Sequence, residues 1–165
     1  MSFWSAPHAR HARANDPASL SAEITAAANR LVSVNPQLQH YTPMIAATFV
    51  DINDLRASST FGRMSSELFA SALSQAGIQM REVKMRDSLF VEAKLGELIL
   101  TREIKRLNEA YSANSILIGT YAVGSNQVYM SVRVVKSADA LVLATADFSL
   151  PLNNNLRTML GERGW

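Results

Sequence analysis

The chain has 165 residues, 48% of them hydrophobic and 18% charged, and its 16 basic and 14 acidic side chains leave a net charge of +2. This is the profile of one globular domain, which at this size buries roughly 70% of its unfolded surface and needs no metal or disulfide to hold a core. The absence of cysteine excludes disulfides, thiol catalysis and cysteine-ligated zinc. The charge pattern offers no nucleic-acid stripe either, because the seven Lys and Arg between Arg81 and Arg106 alternate with Glu82, Asp87, Glu92, Glu97 and Glu103.

Residues 1–19 are poor in large aliphatics and read as a flexible tail. Their start, Met-Ser-Phe-Trp-Ser-Ala-Pro-His, lacks the basic-then-apolar run of a signal peptide. A cytosolic start and a mature segment whose export signal has been removed are both compatible with it. A helix is expected over Leu20–Val34, with Leu20, Ile24, Ala27, Ala28 and Leu31 at helical spacing, and Asn35-Pro36 should stop it. Met44–Ile52 is almost wholly apolar and β-branched, as in a strand covered on both faces.

The second helix runs over Thr60–Ala76, on Phe61, Met64, Leu68, Phe69, Ala72 and Leu73, with Gly77 placed for a left-handed cap. Alternation from Ile78 to Met85 predicts a strand. Residues 86–99 give no clear period, and a third helix follows over Thr101–Tyr111 on Leu100, Ile104, Leu107 and Tyr111. The last third is β-rich. Strands are expected at Ile116–Val123, Val128–Val135 and Leu141–Leu150, with Gly124-Ser-Asn126 as a hairpin turn, Lys136–Asp139 as a second turn and Pro151 as a stop. Residues 153–165 read as a short polar helix or a tail. The longest uncharged run, Ala110–Val132, is broken by Asn114, Gly119, Gly124, Ser125, Asn126 and Gln127, so it reads as two strands and not as a membrane span. The fold class is α/β (α+β): one mixed sheet of about five strands packed with helices and ending in an antiparallel meander, carried by residues 20–152.

The search for chemistry finds little. His8 and His11 lie in the tail without a nearby carboxylate, and His40 stands alone, so a Ser–His–acid arrangement has no base to build on. The seven glycines form no phosphate-binding loop. Asp51 and Asp54 sit at the end of the first strand, where α/β ligand sites form, and an enzyme with a carboxylate site there is the weakest of the readings carried. Capping of the next helix is the simpler role for them. Met64, Met80 and Met85 are expected as gap-fillers on core faces. Phe3, Trp4 and Trp165, near the termini, are candidate protein contacts. No catalytic residue, cofactor or metal is expected.

The segment from Pro43 to Leu152 resembles the FlgO family of bacterial flagellar envelope proteins. The resemblance rests on Pro43-Met-Ile-Ala-Ala-Thr-Phe-Val-Asp51, Ser58-Ser-Thr-Phe-Gly62, Gly96-Glu-Leu-Ile-Leu-Thr-Arg-Glu103, Ser115-Ile-Leu-Ile-Gly-Thr-Tyr121, Val132-Arg-Val-Val135 and Ala144-Thr-Ala-Asp-Phe-Ser-Leu-Pro151, in that order. It implies a non-enzymatic protein of the periplasm or outer membrane that supports the flagellum and motility. Its domain would be similar to the TolB amino-terminal region and to lipoproteins that activate penicillin-binding proteins. The implied partners are other flagellar or envelope proteins, with self-association and outer-membrane association through an export or lipid signal that the given chain does not show. An adaptor for cell-wall synthesis or an outer-membrane secretion assembly is the alternative. One departure is Ala140-Leu141, where related turns often carry Gly.

Overall fold

The computed structural model describes residues 18–54, 58–83 and 96–161. Helix α1 (Ala18–Val34) buries Leu20, Ile24, Ala27, Ala28 and Leu31, the stripe expected from its spacing. Asn35 ends it and caps a 3-10 helix, Pro36–His40, that the sequence reading missed: its Oδ1 accepts from Gln37 N–H at 2.9 Å. The Asx cap, with Pro36 in the first turn, explains this short helix.

The expected strand Met44–Ile52 is broken in two, β1 (Met44–Ala46) and β2 (Val50–Asp51). Both run parallel to β3 (Ser115–Val123), but the register slips: Ala46 pairs with Leu117 and Val50 with Thr120, so one extra residue is accommodated between them. The peptide groups freed by this break are met by helix α2 (Thr60–Gln75) and the turn before it. Phe49 N–H donates to Gly62 C=O at 3.3 Å, Ser66 Oγ to Ala47 C=O at 2.8 Å, and Ser58 Oγ to Phe49 C=O at 2.6 Å. A buried strand can leave its ladder only if its polar groups find such partners. An apolar run reveals burial, but not this exchange, and that is why the sequence reading drew one continuous strand.

The break throws Phe49 over the bare backbone of Gly119, where a Cβ would sit 2.6 Å from the ring carbons. A Cβ on Gly62 would overlap the Phe49 carbonyl oxygen. Both glycines therefore serve close approach, and the Phe49 ring packs on Phe69 with centroids 5.5 Å apart.

Helix α2 ends in a Schellman turn at Gly77, φ 97°, with Ile78 N–H donating to Leu73 C=O at 3.0 Å. The strand expected over Ile78–Met85 is reduced to a single bridge between Met80 and Met44, supported by Met44 N–H to Gln79 C=O and Arg81 N–H to Met44 C=O. It lies beyond the three-residue β1, which offers little ladder to extend; residues 84 and 85 lie outside the described residues. Met64 is also corrected: it is 43% exposed on α2, whose buried stripe runs through Phe61, Ser65, Phe69, Ala72 and Leu73. Met80 is half-buried against the core, and Met85 lies outside the described residues.

Helix α3 (Gly96–Tyr111) begins a turn earlier than expected. Strands β3, β4 (Gln127–Lys136) and β5 (Val142–Pro151) form the antiparallel meander, and α4 (Asn154–Met159) follows, capped by Asn153 Oδ1 on Leu156 N–H. The sheet has five strands in the order β1-β3-β4-β5, with β2 also on β3, so the expected mixed α/β sheet is the one observed. Leu143 is the extra residue of a bulge in β5, because Val134 pairs with Ala144 and Val135 with Val142. In the preceding turn Ala140 takes φ 61°, the left-handed conformation that glycine adopts without strain.

Helices α1 and α2 cover one face of the sheet and build the larger core, with Val128, Met130, Val132, Val134, Ala144, Ala146 and Leu150 beneath them. Among the described residues helix α3 covers one end of the other face, through Ile104 and Leu107 on Ile45, Ala47, Ile116 and Val135.

Candidate functional site

Three places on this scaffold carry chemistry-bearing or accessible groups. The first is the carboxyl end of β2 and β3. Ser59, the N-cap of α2, accepts from Gly62 N–H at 3.0 Å and shares a hydrogen bond of 2.9 Å with Tyr121 Oη. Burial pushes the Tyr121 phenol above its ordinary value near 10; the Ser59 hydroxyl opposes the shift, the Asp51 carboxylate adds to it and Arg63 opposes it. Asp51 Oδ1 accepts from Asn53 N–H at 2.8 Å, and Asp54 N–H donates to Asp51 C=O at 3.0 Å. These bonds build a tight turn. Neither acid is among the residues that line the groove and the shallow depression described next. Among the described residues no three His, Cys, Asp or Glu side chains are grouped to hold a metal.

The second place is a groove of about 980 Å³ between α2 and the Met80 bridge. Arg63, Glu67, Arg81 and Glu82 line it together with Met64 and Val83, a balanced mixture of charge around a modest apolar floor. The groove reaches Val83, the last described residue of that segment.

The third is the part of the sheet that α3 leaves open. Strand register sets its rows: Ala122, Tyr129 and Ser149 stand abreast, then Thr120, Ser131 and Asp147, then Ile118, Arg133 and Thr145. Residues paired across an antiparallel ladder project from the same face. Tyr129 is 56% exposed, Ile52 is 54% exposed, and with Ser131, Asp147 and Ser149 they line a shallow depression of about 430 Å³. Ser131 Oγ donates to Asp147 Oδ1 at 2.9 Å. This is a polar platform with one aromatic ring, suited to contact more than to enclosing a small molecule.

Among the described residues, the sequence candidates His40, Asp51 and Asp54 are not part of this platform. His40 is exposed on the 3-10 helix, with Nδ1 2.6 Å from Gln37 Oε1. Phe3, Trp4, Trp165, His8 and His11 lie outside the described residues. Sequence reasoning did not single out Tyr129, Asp147 or Arg133. The signal was present, since β4 and β5 alternate apolar with polar residues, and in a strand such alternation marks one covered and one open face.

A model of the family described as FlgO protein matches residues 25–155. The chain belongs to the FlgO family. The match spans all strands of the sheet, α2, and α1 from Thr25 onward. No curated protein matches the sequence. Among solved structures, this FlgO-family chain is similar to the C-terminal domain of LpoB from Salmonella enterica, with TM-score 0.50 and 11% identity over 78% of this chain and 98% of that one. It is similar to LpoB from E. coli with TM-score 0.51 and 14% identity, over 90% of this chain and 74% of that one. At these identities the likeness is one of fold. Among the described residues no helix is long and apolar enough to cross a membrane.

Proposed function

We propose that the chain is a non-enzymatic accessory protein of the bacterial flagellum, placed in the periplasm or at the outer membrane and supporting motility through protein–protein contacts. The observation that carries this reading is the FlgO match over residues 25–155. The geometry is in keeping with it. The polar side chains of the parallel-strand end are spent on caps and turns, while the open sheet face offers side chains without enclosing a reaction space. Deleting the gene in its flagellated host tests the reading directly. Swimming in soft agar should be reduced, and complementation should restore it. Normal swimming with normal flagella in the deletion strain sinks the proposal.

A second reading, an adaptor for cell-wall synthesis or for an outer-membrane secretion assembly, draws on the fold shared with LpoB. A pull-down from envelope extract separates the two. Recovery of a penicillin-binding protein without flagellar components favours the second.

A further inference from the structure

We propose that the free edge of β5, from Thr145 to Ser149, receives an extended segment of a partner protein as an added strand, and that this segment carries an acidic and a basic side chain two residues apart. This deepens the reading of the chain as a protein–protein contact module and rests on it.

The ladder identifies which backbone groups are available. Leu152 N–H donates to Asn126 C=O at 2.9 Å, one step beyond the pair Gln127–Pro151, and Gly124 N–H donates to Gln127 C=O at 2.7 Å. In an antiparallel ladder bonded and non-bonded pairs alternate. Leu150, Phe148, Ala146 and Ala144 therefore turn their peptide groups to β4, whereas Ser149, Asp147 and Thr145 turn theirs to the edge. Leu143 confirms this phase from outside, because its carbonyl accepts from Asn35 Nδ2 at 2.9 Å.

The edge is guarded at both ends and open between them. Asn35 occupies the Leu143 carbonyl, and Pro151 has no N–H to give. Such devices normally blunt a sheet edge against unwanted pairing. Among the described residues nothing bonds the outward peptide groups of Thr145, Asp147 and Ser149. A window three residues long is therefore left for a strand to enter.

Side chains choose the occupant. Thr145, Asp147 and Ser149 are all exposed on the open face. Arg133 is level with Thr145, and Tyr129 is level with Ser149. Adjacent strands lie about 4.8 Å apart, so an added strand would run about 10 Å from β4, a span that an Arg and a Glu side chain can bridge together. The partner residue level with Asp147 is directly cross-strand to a carboxylate and should be basic. The exposed Tyr129 ring offers the same cation a second, π-face contact. The partner residue level with Thr145, two positions along, meets Arg133 and should be acidic. The residue between them points to the covered face beside Ala144, Ala146 and Phe148, and should be apolar. A second copy of this chain is the competing occupant. Joined antiparallel through β5 in the register centred on Asp147, two copies would set their Asp147 carboxylates directly opposite each other and bring Ser149, not an acid, level with Arg133.

The probe is a labelled, end-capped peptide, Thr-Val-Glu-Val-Arg-Val-Thr, titrated into the full chain by fluorescence anisotropy. Saturable binding is expected. It should weaken at least tenfold in Asp147→Lys, and that variant should gain affinity for the peptide with Glu in place of Arg. Ser149→Pro removes an outward N–H and no ladder bond, so binding should fall at least tenfold while the melting temperature stays close to that of the wild type. Absence of saturable binding up to millimolar peptide overturns the proposal. Binding indifferent to both substitutions does the same, as does a dimer in sedimentation that Ser149→Pro dissolves. Swimming tests the flagellar reading separately. A deletion strain that swims poorly and is fully rescued by Ser149→Pro rejects the edge and keeps the flagellar role, whereas peptide binding with normal swimming of the deletion strain keeps the edge and rejects that role.

Discussion

The two faces of this sheet are built from the same three long strands, yet they have opposite fates. Beneath α1 and α2, Val128, Met130, Val132, Val134, Ala144, Ala146 and Leu150 are buried and Phe49, Phe61 and Phe69 close the core. On the reverse, one step along each strand, Tyr129, Arg133, Thr145, Asp147 and Ser149 are exposed, and among the described residues the α3 end is the part that is sealed. The contrast shows where the free energy of folding is concentrated and which surface is left available for contacts. A fully buried aliphatic or aromatic side chain contributes about 1.5–3 kcal/mol, whereas an exposed strand residue contributes little and is free to serve recognition.

The sharpest way to break the contrast is to hollow out the covered face. Phe49→Ala should destabilise the chain by about 3–5 kcal/mol, read from urea unfolding, because it removes the ring that seals Gly119 and contacts Phe69. Next comes overfilling. Gly119→Ala places a methyl group where the Phe49 ring already lies and should cost about 1–3 kcal/mol. A loss below that range in either variant would mean that the core relaxes more easily than its packing implies.

A pH dependence is expected from Tyr121. Folding raises the Tyr121 phenol above its unfolded value near 10, mainly through burial, so its contribution is fully present below that pH. Above it the unfolded chain ionises first, and stability is lost as pH rises toward the folded value. Melting temperatures taken from pH 8 to 11 should show this decline, and Tyr121→Phe should flatten it. The smallest effect belongs to the open face: Tyr129→Ala should change stability by no more than about 0.5 kcal/mol. If it costs as much as a core substitution, that face is not the free surface described above.

How much of this was readable in advance varies with the element. The stripe of α1, the Gly77 cap and the hairpin at Gly124–Asn126 follow from local spacing and turn chemistry, and each stands where the sequence placed it. Three readings failed for nonlocal reasons. Met44–Ile52 breaks because Gly62, Ser58 and Ser66, on α2 and the turn before it, supply partners for its backbone. The described part of the strand expected over Ile78–Met85, residues 78–83, keeps one bridge because the strand it would join is only three residues long. Met64 faces outward because Ser65 takes the inner position on α2. As for the site, Asp51 and Asp54 were noticed for their place at a strand end and as caps of the next helix; Asp51 instead accepts from Asn53 N–H within its own turn, and Ser59 caps α2. The open platform was legible only as a period of two.

The sequence by itself determined most of the element types and of their boundaries, the mixed α/β class and the family, because these depend on side-chain periodicity, turn residues and the order of apolar segments along the chain. The tertiary structure alone decided which face of the meander is covered, where the first strand breaks and which peptide groups of β5 remain at an edge. Alternation states that two sets of side chains lie on opposite faces. Which set meets a helix, and which strand ends the sheet, depends on segments more than a hundred residues away, as when Asn35 closes one end of β5 at Leu143 across a separation of 108 residues.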